Sequence, residues 1–368
     1  MLKSKKVILI IIEIIAILVV IGTLILSKQR VSEKKGKPTI GLILTGDKND
    51  SGWNNAHYNA MTKATEALDV NLLIRENIPE GTKKCIPILD DMIDNGATTI
   101  FLAGYAYGED IKQYSTEHKN IKFYIVDPSS VSKNIYSYFG RIYQSRYLSG
   151  IVAGSMTKTN SIGYIAAQNT PEVIRGIDAF TLGVRSINPK ATVYVEWTDS
   201  WEDYATENEN AADLIENYKA DVLTYHQNRY YTNKIADKYG VYSIGYHYNN
   251  KNMFSDNYLA AVVWNFESIY TKCILNDITD KKSSNRIYWG GITDGIVDLD
   301  ICSKKVPTEV VEKIEKVKKD FDSGWDVFIG PIYDNEGNLK VDADECLSDD
   351  YMLNKLIWLV DGVVEIKK

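Results

Sequence analysis

The loop that follows residue 44 collects acids, amides and one tryptophan within ten positions. Asp47 stands near its start, and Trp53 and Asn54 stand at its end. Carboxylate and amide groups supply hydrogen-bond acceptors and donors, and an indole supplies a flat apolar face. These side chains suit the binding of a small ligand. The alternative interpretation is structural, with Trp53 covering the core and the acids forming a turn.

Two regular elements are predicted to position this loop. The apolar run from Ile40 to Leu44 predicts a buried parallel strand. From Asn54 onward apolar residues recur at helical spacing, which predicts a helix that begins just beyond Trp53. The loop therefore lies at the carboxyl end of a strand, where open α/β sheets bind their ligands.

Strand-like and helix-like stretches alternate along most of the chain, as in an α/β fold. The predicted strands form two series. The first series comprises residues 39–44, 70–75, 99–103, 122–126 and 135–139, and the second comprises 161–166, 192–197, 222–225, 242–246 and 260–263. Two such series, neither with a catalytic triad, predict two lobes around a cleft. Residues 287–368 are less regular, and their own pattern of strands and helices does not assign them to a lobe.

The first 37 residues are predicted to lie outside the folded body. The stretch from Val7 to Leu26 is apolar apart from Glu13, Gly22 and Thr23 and is long enough to cross a bilayer once. No A-x-A site follows it and no cysteine stands near it, so an uncleaved signal anchor is favoured over a cleaved signal peptide. Basic residues on both sides argue by themselves for a cytoplasmic body, whereas the function argued below requires an external one.

The remaining residues, 38–368, carry 34 Lys and Arg against 47 Asp and Glu, a net charge of −13. An acidic body disfavours nucleic acid as a partner. The four cysteines, Cys85, Cys273, Cys302 and Cys346, form no CxxC pair and give no metal signature, so buried structural cysteines are expected. Neither a metal nor a cofactor is expected.

Seven motifs resemble the basic membrane protein family, the purine nucleoside-binding type of substrate-binding protein that serves ABC importers. They are D-K-N-D-S-G-W-N (47–54), Y-L-S-G-I-V-A-G-S-M-T-K-T-N-S-I-G-Y (147–164), P-E-V-I-R-G (171–176), F-T-L-G-V-R-S-I-N-P (180–189), D-S-W-E-D (199–203), G-I-T-D-G-I-V-D-L (291–299) and G-P-I-Y-D-N-E-G (330–337). The resemblance implies two Rossmann-like lobes of the type I periplasmic-binding-protein kind, joined by three crossovers, with the ligand in the cleft. Members of the family are not enzymes.

The two strand series and the resemblance together divide the chain. Residues 38–145 and about 266–296 are assigned to lobe one, and residues 146–265 and about 297–368 to lobe two. Residues 1–37 form the predicted anchor and linker.

The resemblance also implies a site built around a flat ring. Trp53 and Trp201 match the two phenylalanines that stack on the base, one from each lobe. Asp47 and Asn54 are expected at the edge of the ring. Asp127 matches a position that faces the cleft, although a carboxylate at a strand end is also a common helix cap.

Further candidates come from the second series. His226 and Asn228 follow a strand and are expected to project into the cleft, and a structural histidine is the alternative for His226. His247 and Asn249 stand where nucleoside binders of the family carry the acids that hold the ribose. A neutral imidazole lacks the two acceptors with which a carboxylate grips a vicinal diol.

Two more candidates complete the predicted site. Trp264 stands where the family carries a basic residue. Core packing is one interpretation of Trp264, and three tryptophans at strand-end positions favour a shared aromatic box. Asp294, in G-I-T-D-G, either reaches the cleft or only forms the turn. These departures from the family favour a bare nucleobase such as adenine, or another flat heterocycle, over a nucleoside.

The sequence thus predicts an extracytoplasmic solute-binding component of an ABC importer, attached to the cell membrane by its N-terminal segment. It would present a purine-like base or nucleoside to a permease driven by a separate ATPase. Three alternatives stay open: a receptor of the same fold for a flavin-like vitamin, an amino acid or a sugar; an extracellular nucleosidase or other hydrolase; and a ligand-sensing ectodomain. The hydrolase lacks a recognisable centre, because neither G-x-S-x-G nor H-E-x-x-H occurs.

Overall fold

Strands and helices alternate along the chain and build two large sheets, each covered by helices. The computed structural model describes residues 36–281 and 286–367. The predicted membrane segment, from Val7 to Leu26, lies outside the described residues. Within the described ranges no helix is long and apolar enough to cross a bilayer.

The first lobe is built on a six-stranded parallel sheet. Its strands are β1 (Thr39–Leu44), β2 (Asn71–Arg75), β3 (Ala97–Ala103), β4 (Lys122–Ile125), β5 (Ile135–Gly140) and β11 (Ile287–Gly290). Its helices are α1 (Trp53–Ala67), α2 (Ile86–Asp94), α3 (Tyr107–Ile111), α4 (Tyr114–Glu117) and α9 (Phe266–Ile278). The strands lie in the order β11-β5-β4-β3-β1-β2. β1 is buried along its whole length, as its apolar run predicts.

The second lobe is built on a seven-stranded sheet. Its strands are β6 (Ser161–Ala166), β7 (Thr192–Trp197), β8 (Val222–His226), β9 (Tyr242–His247), β10 (Tyr258–Trp264), β12 (Val297–Ile301) and β15 (Val363–Glu365). Its helices are α5 (Ile142–Met156), α6 (Pro171–Arg185), α7 (Tyr204–Glu216), α8 (Tyr231–Tyr239), α10 (Thr308–Asp322) and α11 (Asp349–Asn354). The order is β12-β10-β9-β8-β6-β7-β15, with β12 antiparallel to β10. A hairpin of β13 (Ile332–Tyr333) and β14 (Leu339–Val341) lies apart from this sheet.

The predicted α/β fold of two Rossmann-like lobes is confirmed. Two short helices, α3 and α4, connect β3 to β4. The expectation of buried cysteines is wrong for Cys346, which is exposed, whereas Cys85, Cys273 and Cys302 are buried.

The chain passes between the sheets after β5, after β10, and between β11 and β12. These crossings run side by side and are hydrogen-bonded to one another. The N–H of Arg141 donates to the oxygen of Gly290 at 2.7 Å, and the N–H of Asn265 donates to the oxygen of Ile296 at 2.6 Å. Gly140 lets the crossings approach, because a Cβ there would lie 2.7 Å from the ring of Trp264.

The longest motif of the resemblance serves packing. Helices α5 and α6 cross so closely that a Cβ on Gly150 would lie 2.0 Å from the oxygen of Phe180. A Cβ on Gly183 would likewise lie 2.1 Å from the oxygen of Tyr147. Only glycine at these positions allows the two backbones to touch.

Candidate functional site

A cavity lies between the two lobes. Many of its residues stand just beyond the carboxyl ends of parallel strands, the usual position of a ligand site in an α/β sheet. The first lobe contributes Thr45, Trp53, Glu80, Gly104, Tyr105, Val126 and Phe139. The second lobe contributes Glu172, Trp201, His226, Asn228, Tyr246 and His247.

The lobes touch each other beside this cavity. The main-chain N–H of Trp53 donates to the main-chain oxygen of Asn228 at 3.4 Å, and the side chain of Asn250 donates to the oxygen of Ser51 at 3.0 Å. Trp53 begins α1, so its N–H is one of the donors that have no partner within the helix. A carbonyl of the opposite lobe satisfies it.

A buried acid, Asp50, shapes the loop of the first lobe. One of its oxygens accepts from the main-chain N–H groups of Gly52 and Asn55, at 2.8 and 2.9 Å. The other accepts from the main chain and the side chain of Asn54, at 3.0 and 2.9 Å. Four donors on one carboxylate fix the path of the chain into α1.

Asn54 is occupied by this loop and does not line the cavity. Its side-chain oxygen accepts from the hydroxyl of Thr45 and from the N–H of Gly46, each at 3.1 Å. Its side-chain nitrogen donates to Asp50. The sequence predicts Asn54 at the edge of a bound ring, whereas in the structure its amide holds the loop together.

Three predicted acids also lie away from the cavity lining. Asp47 and Asp294 are exposed turn residues, which accept at 2.8 Å from the N–H of Asn49 and at 2.9 Å from the N–H of Gly291. Asp127 is buried, but its carboxylate caps the short helix Pro128–Ser130 and accepts from the N–H of Ser129 at 2.8 Å. In each case the local turn or cap holds the carboxylate, as the structural alternatives proposed.

The two predicted tryptophans do meet at one cavity. Trp53 is buried, and its indole N–H donates to the oxygen of Ala103 at 2.9 Å. Trp201 lies in the loop after β7, is half-buried, and has its ring centre 6.2 Å from that of His226. Because the first belongs to lobe one and the second to lobe two, the aromatic lining spans the cleft.

His226, the last residue of β8, lines the cavity as a neutral side chain. One ring nitrogen lies 3.1 Å from the hydroxyl of Tyr246 and 3.5 Å from a carboxylate oxygen of Glu172. The other lies 3.5 Å from the hydroxyl of Tyr164. Burial, with a smaller contribution from the charge of Arg146, lowers the pKa of His226 to about 4 despite the opposing effect of Glu172, so the ring carries no charge at neutral pH.

The guanidinium of Arg146 lies behind the cavity wall. It is buried and stacks 3.9 Å from the centre of the Tyr246 ring. Among the described residues, its Nε and one Nη have no hydrogen-bond partner. The face of Tyr246 therefore makes a cation–π contact with a desolvated guanidinium.

His247 ends β9 with a left-handed backbone, at φ 70°. Its Nε2–H donates to the oxygen of Gln227 at 3.0 Å, and its Nδ1 accepts from the indole N–H of Trp264 at 3.1 Å. Burial lowers its pKa well below the usual range. Both ring nitrogens are thus engaged, and the imidazole offers the cavity no free acceptor.

Trp264 and Asn249 do not line the cavity. Trp264 stacks on Phe266 with ring centres 4.9 Å apart and supports His247 from behind, so it is not a wall of the predicted aromatic box. Asn249 donates to the carboxylate of Asp300 at 2.8 Å and accepts from the N–H of Lys251. That turn directs the amide away from the cleft.

Sequence reasoning missed several lining residues, and the most consequential are Glu80 and Glu172. Glu172 lies inside the P-E-V-I-R-G motif, in the first turn of a helix that follows a strand, which is a signal for a cleft residue. Glu80 lies in the long connection between β2 and α2, where no periodic pattern marks it. Tyr105 lies two residues beyond β3, so its position after a strand end is the same signal that marked the predicted site residues.

The fold and the cavity define a class: a ligand-binding protein whose two lobes enclose a site at the ends of their strands. The Bmp family model, described as ABC transporter substrate-binding protein PnrA-like, matches residues 37–325. This chain therefore belongs to the Bmp family, and the resemblance seen in its motifs is confirmed. It is a family of extracytoplasmic solute-binding proteins and not of enzymes.

Two relatives differ in the ligand that their names state. A purine-binding protein of Brucella abortus is 28% identical over 330 residues, which is 89% of this chain and 93% of that protein. A protein of Haloferax volcanii that carries the name of an ABC transporter glucose-binding protein is 27% identical over 317 residues, 85% of this chain and 77% of that one. The names of these two relatives thus state ligands of different chemical classes.

Solved structures share the fold at lower identity. A transcriptional activator of the comK gene from Bacillus halodurans superposes with a TM-score of 0.69 at 23% identity, over 78% of this chain and 99% of that one. A solute-binding protein of an ABC transporter system from Conexibacter woesei superposes with a TM-score of 0.65 at 18% identity, over 78% and 97%. At these identities the similarity shows the fold alone.

Proposed function

We propose that this protein captures a purine base between its lobes and presents it to an ABC permease powered by a separate ATPase. One observation carries the proposal: Trp53 and Trp201 line a single cavity from opposite lobes. A flat heteroaromatic ring gains about 1–3 kcal/mol from each aromatic side chain on which it stacks. A ring held by one tryptophan from each lobe favours the closed arrangement, because closing completes the second contact.

The chemistry of His247 supports a bare base over a nucleoside. A ribose needs acceptors for its vicinal hydroxyls, but both nitrogens of His247 are already bonded to Gln227 and Trp264. Asn249, the other residue at the expected ribose position, is bonded to Asp300. The relative from Brucella abortus that is named a purine-binding protein adds support.

We further propose that the protein works on the outer face of the cell membrane. The apolar segment from Val7 to Leu26 supports an anchor that holds the binding domain close to its permease. Anchoring raises the local concentration of the binding protein at the transporter.

A neutral sugar is the second candidate. The carboxylates of Glu80 and Glu172 accept hydrogen bonds, as sugar hydroxyls require, and tryptophan faces pack against sugar rings. The relative from Haloferax volcanii that is named a glucose-binding protein favours the same candidate. The two candidates differ in the aromaticity of the ligand.

Isothermal titration of the full-length protein in a mild detergent tests the proposal. The ligands are adenine, guanine, hypoxanthine, adenosine, riboflavin and glucose. We expect a purine base to bind in the micromolar range or more tightly, and adenosine to bind at least about tenfold more weakly. A folded protein that binds no purine base would overturn the proposal, and heat from glucose alone would support the sugar.

A further inference from the structure

Two carboxylates face the same cavity from opposite lobes. Glu80 follows β2 in the first lobe, and Glu172 lies in the first turn of α6 in the second. Among the described residues that line the cavity, none is lysine or arginine. The ionisable groups other than tyrosine are these two acids and two histidines, His226 and His247, which burial keeps neutral.

Glu172 is held in place as an acceptor. A ring nitrogen of His226 lies 3.5 Å from one of its oxygens, and the N-terminus of α6 favours a negative charge in its first turn. Arg175 is the nearby buried cation on the same helix, but its guanidinium donates to the main-chain oxygens of Pro171 and Met352. Since His226 is neutral, it orients Glu172 without cancelling its charge.

Glu80 is held from the other side of the cleft. One of its oxygens accepts from the N–H of Ala106 at 2.7 Å. Burial raises the pKa of Glu80, and the charges of Asp110 and Glu172 raise it further. Glu80 and Glu172 line the same cavity, so one ligand can reach both carboxylates. N–H donors on that ligand favour the ionised, hydrogen-bond-accepting form of each acid.

We propose that Glu80 and Glu172 bind the N–H donors of the ligand, one from each lobe, and that the protein selects purine bases that carry at least two N–H donors. An ionised carboxylate only accepts hydrogen bonds, so the ligand must present N–H groups to both. Adenine and guanine carry an exocyclic amino group and a free ring N–H, and hypoxanthine carries two ring N–H groups, whereas unsubstituted purine carries only one. Urate, which is an anion at neutral pH, is excluded by the same two charges.

This inference rests on the proposed function, because it specifies which purines the same cavity accepts. It also gives the acids a part in closure: a donor at each end of the ring links the two lobes through one ligand. Aromatic stacking then sets how tightly any flat ring binds, and the acids set which ring is preferred.

Titration of the full-length protein with matched ligands is the first arm of the test. We expect adenine, guanine and 2-aminopurine to bind at least about tenfold more tightly than unsubstituted purine, and urate not to bind. This arm needs no variant, so it stands even if a substitution prevents folding. Unsubstituted purine or urate binding as tightly as 2-aminopurine would overturn the inference.

The second arm replaces one acid at a time. Glu80→Gln and Glu172→Gln should each weaken adenine binding about 10- to 100-fold and change the affinity for unsubstituted purine less than about threefold. Glu66→Gln and Glu209→Gln, exposed positions in α1 and α7, are the matched controls and should bind as the native protein does. Thermal unfolding verifies that each variant is folded.

The outcomes separate this inference from the proposed function. Purine binding that is unaffected by both substitutions would overturn the inference and leave the proposed function standing. Absence of binding by every purine would overturn both. Displacement of adenine by glucose at equal or lower concentration would show that the acids hold sugar hydroxyls, and it would overturn the inference as well.

Discussion

The main-chain N–H of Trp53 donates to the main-chain oxygen of Asn228, 3.4 Å away, and this hydrogen bond joins the two lobes. The same two residues line the cavity. One short loop in each lobe therefore both contacts the opposite lobe and lines the cavity. Substitutions in these loops are expected to separate closure from ligand contact.

Gly52→Ala is expected to hinder closure. A Cβ at this position would lie 1.8 Å from the oxygen of Asn228, far inside van der Waals contact, only when the lobes are together. Because apparent affinity falls with the population of the closed state, ligand binding should weaken at least about tenfold. Isothermal titration measures the affinity, and small-angle scattering should show a larger radius of gyration in the presence of ligand than for the native protein.

Gly36→Ala is the control for this change, since a Cβ there meets no atom within 4 Å. It should leave both the affinity and the scattering curve unchanged. A Gly52→Ala variant with native affinity would show that the protein binds ligand without bringing these loops together.

Trp201→Ala should weaken the binding of a purine base about 10- to 100-fold. Trp201 is half-buried, so its loss should cost little stability, whereas Trp53→Ala also removes the hydrogen bond to Ala103 and should lower the melting temperature. Trp358→Ala is the matched control, because Trp358 does not line the cavity. Native affinity in the Trp201 variant would remove this residue from the site.

Asp50→Ala should destabilise the first lobe by about 2–4 kcal/mol, because four donors lose their acceptor and three belong to the main chain. Asp47→Ala should change neither stability nor base preference, since Asp47 is an exposed turn residue. Urea unfolding compares the two. A change of base preference in the Asp47 variant would restore the role that the sequence suggested for it.

Acid should destabilise the protein through its buried histidines. His57, His226 and His247 have pKa values that burial lowers, to about 4 for His226, whereas each takes up a proton near pH 6.5 once unfolded. Between the lowered pKa of the folded state and the value near 6.5, the unfolded state binds more protons than the folded state. The contribution of these histidines to the free energy of unfolding is therefore fully present above pH 6.5 and decreases as the pH falls toward 4. The loss is about 1 kcal/mol per histidine for each pH unit.

His57→Phe isolates part of this effect away from the cavity. The ring stacks on Phe266 with centres 3.9 Å apart, and the hydroxyl of Tyr270 keeps Tyr138 as a partner at 3.2 Å. The variant should fold and lose about 1 kcal/mol less stability between pH 6 and pH 5 than the native protein. Equal slopes in urea unfolding at the two pH values would contradict the assignment.

The sequence predicted the parallel strands well, because continuous apolar runs bounded by turn residues mark a buried strand. β1, β6 and β7 have the predicted bounds. The strand pattern alone did not place β11, β12 or β15 in a sheet, since partners such as β7 and β15 lie more than 160 residues apart in the chain. Pairing at that distance depends on tertiary contacts that no local pattern records.

Within the site, the aromatic residues were easier to predict than the polar ones. Two of the three predicted tryptophans, Trp53 and Trp201, line the cavity, whereas Trp264 packs on Phe266 behind it. A carboxylate at a strand end can accept hydrogen bonds from several nearby main-chain N–H groups. Asp47, Asp127 and Asp294 accept from such groups in turns and a helix cap. No local sequence pattern marks Glu80, because its position depends on the conformation of the long connection between β2 and α2.

The contact between Trp53 and Asn228 uses main-chain atoms only. A different side chain at position 228 would leave the main-chain oxygen in place as the acceptor. Substitutions in the cavity lining therefore need not change this contact between the lobes. Ligand choice resides in side chains, whereas this contact between the lobes resides in the backbone. A chain built in this way can acquire a new ligand by local substitution while keeping the same movement, which fits a family whose named members differ between a purine and a sugar.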